Sequence, residues 1–408
     1  MERKELVELL QEHNQEHLLW YYDRLTEEKQ ANLAAQLEKL DWRLLKLSES
    51  GNVSQKRGEF SPLAGLNREQ IEANREAFEK AGLKAIRQNK VGAVLLAGGQ
   101  GTRLGCSGPK GNFNIGVTRE IYIYELLFGN LLEVVHKAAA WIPLYIMTSD
   151  KTHEETTNFL KEHQYFGYNE AYIKFFVQEM NPSVDYDGKL LMEAPDRLSL
   201  SPSGNGGWFS SMVKAGLLKD LEARGIEWLN IFAVDNVLQK ITDPLFLGAT
   251  ICSGKTSGAK VVRKAEPGER IGVLCTEDGK PSIVEYYEMT EVMRQERTPS
   301  GELSYSLGVT LNYLFKLDKL KEILSKDLPI HVAEKKIPYL NQEGEYIQPD
   351  KPNGYKFEEL ALDMIPLFEE CLPFEVIREE EFAPVKNASG VDSPETAREL
   401  LKRNHIKL

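Results

Sequence analysis

Apolar and polar positions along the chain alternate between two periods. Val91–Leu96 (VGAVLL), 142–148 (IPLYIMT), 172–178 (YIKFFVQ) and 228–234 (WLNIFAV) are short, nearly unbroken apolar runs. Their length and continuous apolarity predict strands buried on both faces, as in a parallel sheet. Between them the spacing becomes helical. Asn67 begins a helix with Gln70 at the capping-box position and Ile71, Phe78 and Ala85 two turns apart. Further helical stretches cover 122–140, 152–163 and 207–224. Strands alternating with helices predict an α/β, Rossmann-like, mixed but mostly parallel sheet that receives ligands at the carboxyl ends of its strands.

The first 47 residues have a different pattern, with Leu6, Leu10, Leu18, Leu25, Leu33, Leu37, Leu40, Leu44 and Leu47 at helical spacings. Within them His13, Glu16 and His17 formally match an HxxEH zinc pattern. No third ligand stands nearby, so the stretch reads as a polar helix face. Gly51, Gly58, Pro62 and Gly65 make 48–66 an irregular connector. The expected organisation is a helical segment at 1–66, an α/β core at 67–330 and a C-terminal region at 331–408.

Composition adds exclusions. Four scattered cysteines form no CxxC pair, which suggests neither a disulfide framework nor a zinc site and fits a reducing, cytoplasmic setting. The charged start MERKELVELLQEH has no apolar segment of a secretory signal. No run approaches the roughly 18 apolar residues of a membrane span. A formal net charge of −12 without a second basic patch argues against a nucleic-acid partner.

Charge distribution then singles out one stretch. From Lys80 to Arg119 there is no Asp or Glu, while Lys80, Lys84, Arg87, Lys90, Arg103, Lys110 and Arg119 are present. Inside this cationic island, the first buried run empties into AGGQGTRLGCSGPKG. Gly98, Gly99, Gly101 and Gly105 let consecutive backbone N–H groups form a concave nest for phosphate oxygens. Thr102 adds a hydroxyl, Arg103 a bidentate fork and Lys110 a point charge. The loop is not a P-loop, because Gly111 follows Lys110 where Ser or Thr is required. Nor is it a dinucleotide fingerprint, since Pro109-Lys110-Gly111 blocks an immediate helix.

Other residues fit a phosphate site in the same sheet. Asp235 ends the fourth buried run, where its carboxylate could hold Mg²⁺ together with substrate phosphates or merely cap a turn. Ser203-Gly204-Asn205-Gly206-Gly207 is a second glycine cluster, either a flat ligand surface or a structural turn. The Gln178 amide offers both a donor and an acceptor, as a pyrimidine reader needs.

Together these stretches resemble the UDP-sugar pyrophosphorylases, through their LxGGxGTRLGxxxPKG signature and PxGNGG segment. ERIGVL with Gly272 and IVEYYEM with Glu285 match further family segments. HVAEKKIPYLNQEGEYIQPDKPNGYKFEEL at 331–360 is nearly that of eukaryotic-type UDP-N-acetylglucosamine pyrophosphorylases, and REEEFAPVKNASG follows suit. The resemblance implies that the glycine loop holds the UTP phosphates, with Arg103 and Lys110 on the departing pyrophosphate. It implies that Gln178 reads uracil, that Gly204 and its neighbours pack on uracil, and that Asn205, Gly272 and Glu285 contact the sugar. It also puts Mg²⁺ on Asp235 and sets Lys356 and Lys386 on the reacting phosphates.

Val309 stands where the family usually has a sugar-contacting asparagine, and valine cannot hydrogen-bond a hydroxyl. The resemblance implies uridylyl transfer from UTP to a sugar 1-phosphate, N-acetylglucosamine 1-phosphate foremost. A UDP-glucose or UDP-galactose pyrophosphorylase and a non-catalytic UDP-sugar binder are the alternatives. The eukaryotic enzymes continue beyond the position of Leu408, so the expected state is a monomer.

Overall fold

The four apolar runs become neighbouring strands. The computed structural model describes residues 2–49 and 57–408, so the 50–56 part of the expected connector, with Gly51, lies outside the described residues. The chain divides into two compact units, one made of 1–57, 179–207 and 328–360, the other of 58–178, 208–327 and 361–408.

The larger unit is built on a ten-stranded sheet. In chain order its strands are β1 (Phe60–Pro62), β2 (Val91–Leu96), β3 (Leu144–Thr148), β4 (Ile173–Val177) and β5 (Trp228–Ala233). They continue as β6 (Ser257–Arg263), β7 (Val273–Glu277), β8 (Lys280–Val284), β9 (Leu307–Lys316) and β10 (Leu372–Glu375). The spatial path runs β1-β7-β9-β5-β2-β3-β4. Strands β5, β2, β3 and β4 are mutually parallel, and β9 attaches antiparallel to β5. Every residue of β2 and β3 is buried, as their unbroken apolarity requires.

Helices cover this sheet much as the periodicity predicts. The side chain of Asn67 accepts from the Gln70 N–H, and the Gln70 side chain accepts in return from the Asn67 N–H, so the capping box is real. The expected continuous helix is broken at Asn74 into Arg68–Ala73 and Arg75–Arg87. Arg75–Arg87 packs closely on Pro244–Ser253: a Cβ on Gly82 would lie 1.9 Å from the Pro244 carbonyl oxygen, and one on Gly248 1.7 Å from that of Phe78. The 207–224 stretch likewise splits into Trp208–Lys214 and Leu218–Arg224, with Gly216 between them at φ +78.

The smaller unit gathers three segments distant in sequence. His331–Lys335 and Val184–Asp185 flank Gly354–Glu358 in a three-stranded sheet. Leu6, Leu10, Leu18, Leu33 and Leu37 share a core with Val184, Leu190, Met192 and Phe357. The limits expected at 66 and 330 therefore do not coincide with the compact units, because strand pairing joins 331–358 to the 184–185 segment. His13 stacks on Trp42 at 4.2 Å, and the His17 ring bonds the Leu190 carbonyl at 2.7 Å. They lie at a helix end and in a 3-10 turn instead of on one helix face, so the polar-face reading is corrected. Among the described residues no helix is long and apolar enough to cross a membrane.

Candidate active site

Parallel register assembles the site in the larger unit. Ala233 of β5 pairs with Leu96 of β2, so Asp235 and Gly98 stand at the same level, each two residues beyond its strand. Thr148 of β3 pairs with Val177 of β4, and the Gln178 N–H still donates to the Thr148 carbonyl. Gly98, Gln178 and Asp235 thus collect at the carboxyl edge of the parallel strands, the place such sheets bind ligands. Gly98 and Gln178 are in direct contact. A Cβ on Gly98 would fall 2.3 Å from Gln178 Nε2, so the missing side chain is what lets this buried amide occupy its position.

Beyond Gly98 the glycine loop closes on itself. Gly101 N–H donates to the Gly108 carbonyl, Cys106 N–H to that of Gly101, and Lys110 N–H to that of Gly99. Gly105 takes the left-handed conformation at φ +79, ending a short 3-10 turn over Thr102–Leu104. Thr102 and Arg103 are exposed on this turn, and Gly99 has open space beside it. A second 3-10 turn begins at Lys110, directly after Pro109, and the long helix waits until Ile123–Ala138. Lys110 points its ammonium to within 3.9 Å of the Asp235 carboxylate, both side chains being largely buried. Burial pushes Lys110 below the usual lysine range; Asp235 opposes the shift, while the like charges of Lys386 and Arg103 add to it.

Asp235 and Lys386 are tied together by backbone. Val385 N–H donates to the Asp235 carbonyl. The neighbouring Asn236 side chain donates to the Glu381 carbonyl at 2.7 Å and accepts from the Ala383 N–H at 2.9 Å. Glu381 is anchored in turn by Lys260, whose fully buried ammonium lies 2.6 Å from Glu381 and 3.0 Å from Asp243. This ion network holds the segment that presents Lys386. The sequence reading missed both the network and Asp392, whose carboxylate lies 3.9 Å from Lys386. Burial pushes Asp392 above the usual carboxylate range, with Lys386 opposing and Asp235 adding. Asp392 follows Lys386 across an Asn-Ala-Ser-Gly turn, which Asn387 closes by donating to the Val391 carbonyl. Arg103, Lys110, Asp235, Lys386 and Asp392 therefore form one electrostatic cluster.

Gly272 and Glu285 also meet in the larger unit. The position of a Cβ on Gly272 lies 3.4 Å from a Val309 methyl and 3.5 Å from Glu285 Oε2. Val309 N–H donates to the Gly272 carbonyl at 2.9 Å, so the valine borders the same spot as the carboxylate.

Gly204, Asn205 and Lys356 belong to the smaller unit. Gly204 sits at φ +93, where a Cβ would fall 2.2 Å from the Glu359 carbonyl oxygen; the Glu359 N–H donates to the Ser203 carbonyl, and the Gly206 N–H donates to that of Glu359. Lys356 sits in the Gly354–Glu358 strand opposite Ala333. The second glycine cluster and the NGYKFEEL segment are thus held together by backbone hydrogen bonds, although more than a hundred residues separate them.

Residues 33–401 match the model of the UTP–glucose-1-phosphate uridylyltransferase family. UDP-N-acetylglucosamine diphosphorylase 2 of Arabidopsis thaliana is 38% identical, the alignment covering 98% of this chain and 84% of the plant protein. UDP-N-acetylglucosamine pyrophosphorylase of Saccharomyces cerevisiae is 35% identical over 96% of this chain and 88% of its own. Among solved structures, the uridine diphosphate N-acetylglucosamine pyrophosphorylase of Trypanosoma brucei, in complex with inhibitor, superposes with a TM-score of 0.82 at 27% identity, covering 99% of this chain and 85% of that one.

Proposed function

The chain belongs to the UTP–glucose-1-phosphate uridylyltransferase family, and from that membership we propose that it makes a UDP-sugar and pyrophosphate from UTP and a sugar 1-phosphate. It is a nucleotidyltransferase. N-acetylglucosamine 1-phosphate is the substrate best supported, because the plant and yeast proteins similar across nearly the whole chain are named for that sugar. The observation that carries the reading is the convergence of Lys110, Arg103, Lys386 and Asp235 at the sheet edge.

The chemistry asks for little beyond this. A sugar phosphate is already ionised at neutral pH and needs no general base. One of its oxygens attacks the α-phosphorus of UTP, forming a P–O bond while the bond to the β-phosphate oxygen breaks. Positioning and charge neutralisation supply the rate. In our assignment the glycine loop cradles the triphosphate, while Arg103 and Lys110 take up charge growing on the departing pyrophosphate. Lys386 and Lys356 hold the attacking phosphate and the α-phosphate. Gln178, fixed beside Gly98, reads uracil; Gly204 packs on it, and Asn205, Gly272 and Glu285 contact the sugar.

The residues present fit Mg²⁺. Asp235 is a partly screened carboxylate facing a cation at 3.9 Å, with the burial-stressed Asp392 in its field, and a hard cation needs only one or two carboxylates when phosphates complete its shell. We assign the ion to Asp235; when bound it supplies positive charge to the phosphate oxygens. The compartment we propose is the cytoplasm, since Cys106, Cys252, Cys275 and Cys371 are all free thiols. The proposed oligomeric state is a monomer, to be checked by light scattering.

One assay tests the activity. Pyrophosphate release is measured with UTP, Mg²⁺ and a panel of sugar 1-phosphates, with and without EDTA. The expected result is chelator-sensitive release that is fastest with N-acetylglucosamine 1-phosphate. Faster release with glucose or galactose 1-phosphate would move the assignment to the UDP-hexose enzymes. No release with any sugar would leave only a binding protein.

A further inference from the structure

A cleft of about 580 Å³ in the larger unit is lined by none of the residues assigned above. Its walls come from the loop after β6, the turn after β8 and the short helix Glu291–Gln295, and they carry Lys264, Glu269, Arg270, Tyr286, Tyr287 and Arg294. Three of these are cations, of which Arg294 already donates to the Tyr286 carbonyl at 2.9 Å and lies 3.7 Å from the Glu291 carboxylate. Lys264 is only 8% exposed, yet the one hydrogen bond of its ammonium among the described residues goes to the Pro267 carbonyl. An ammonium has three donors, and burying one without a counter-charge is costly. Glu269, the only carboxylate of the lining, is already committed. It takes two bonds from Arg378 at 2.8 and 3.0 Å and one from the Ala265 N–H at 2.7 Å. Burial lowers Lys264 below its usual range, Glu269 opposing and Arg294 adding by repulsion. Two exposed rings, Tyr286 and Tyr287, meet edge to face at 5.2 Å beside these charges.

We propose that this cleft is a second anion site, which takes the phosphate of a small phosphorylated metabolite on Lys264, Arg270 and Arg294 and its ring on the two tyrosines. Three separate cations match the three oxygens of a phosphate, whereas a carboxylate is satisfied by one arginine fork. The volume suits a single hexose phosphate, being within the range of small-molecule sites. The tyrosines offer a flat apolar face and hydroxyls to such a ring.

Calorimetric titration of the full chain, at constant ionic strength, tests it with inorganic phosphate and glucose 6-phosphate as probes. Arg270→Ala combined with Arg294→Ala should weaken one equivalent of either probe by about tenfold or more. Lys110→Ala, which disables the glycine loop, should leave that equivalent in place. Tyr286→Ala with Tyr287→Ala should remove the advantage of glucose 6-phosphate over phosphate. Lys264→Met should abolish the site; should it fail to fold, the two half-exposed arginines still decide the matter. The proposal is overturned if the double arginine variant binds like wild type, if Lys110→Ala removes all phosphate binding, or if the wild-type chain binds neither probe. Unchanged preference in the tyrosine variant would overturn the ring contact.

Discussion

Lys110 shows how little a single residue type says without its neighbours. Its ammonium is largely buried, faces Asp235 at 3.9 Å and is repelled by Lys386 and Arg103. A cation held among cations is at ease only when an anion arrives, and the charge-dispersed pyrophosphate is such an anion. Lys110→Ala should lower kcat by about a hundredfold or more, with an unchanged unfolding temperature; activity near wild type would remove it from the mechanism. Gly98 makes a complementary case. Alanine there would drive a methyl into the Gln178 amide, which is 6% exposed and has little room to retreat. Gly98→Ala should raise KM for UTP and shrink the preference for UTP over CTP, read as the ratio of kcat/KM values. If that ratio holds, Gln178 does not read the base. At this scale the glycines, Arg103, Lys110 and Asp235 were legible because strand ends and charge segregation mark them in the sequence. The contact between Gly98 and Gln178 was not, since it arises from the register of three strands. Asp392 escaped because an isolated aspartate after a glycine turn looks like any solvated loop residue.

Periodicity found β2 to β5 within a residue or two, because buried parallel strands write continuous apolar runs. It did not find that Asn236 and Lys260 fasten 381–385 to the end of β5. Lys260 lies mid-strand in an otherwise apolar run, where sequence alone gives no partner. The structure supplies two, Glu381 and Asp243. Burial alone would raise Asp243, but the Lys260 charge outweighs it and holds the carboxyl below its usual value of 3.8. For Lys260 burial is outweighed by Asp243 and Glu381, so its pKa lies above 10.5. The signs follow. The depressed Asp243 contributes stability that is present above pH 3.8 and lost as pH falls through its lower folded value. The raised Lys260 contributes stability that is present below pH 10.5 and lost as pH rises through its higher folded value. Lys260→Met leaves two buried carboxylates with only the half-exposed Lys240, 3.6 Å from Glu381, as a counter-charge. It should cost about 3–5 kcal/mol at neutral pH, measured by urea unfolding. The deficit should narrow as pH falls from 7 toward 4, because the stranded carboxylates take up protons. A deficit independent of pH would mean that lost packing, and not the broken ion network, is responsible.

For the molecule as a whole, the sequence reading captured the α/β sheet but not the partition of the chain. It drew limits at 66 and 330, whereas each compact unit is assembled from three separate segments. Such assembly is invisible to a scan along the chain, because it depends on pairings such as Val184 with Tyr355 and on leucines of the first 45 residues packing against Phe357. Charge, by contrast, is additive and was readable from the start. The chain carries a formal charge of −12, and UTP is itself an anion, so the mean field repels the substrate. In the proposed assignment, Arg103, Lys110, Lys356 and Lys386 attract it locally against that field. A local attraction set in a repulsive far field is sensitive to ionic strength in a particular way. Over distances beyond the Debye length, about 8 Å at physiological salt, the repulsion is screened first. Moderate salt should therefore leave KM for UTP flat or slightly lower, and higher salt should raise it as the cradle itself is screened. The partly buried contacts that act on the transition state are screened least, so kcat should change little throughout. Steady-state rates from low to roughly molar salt, at constant free Mg²⁺, would trace this shape. A KM that climbs steadily from the lowest salt would show that attraction governs at long range too, and that the acidic remainder of the protein does not oppose capture.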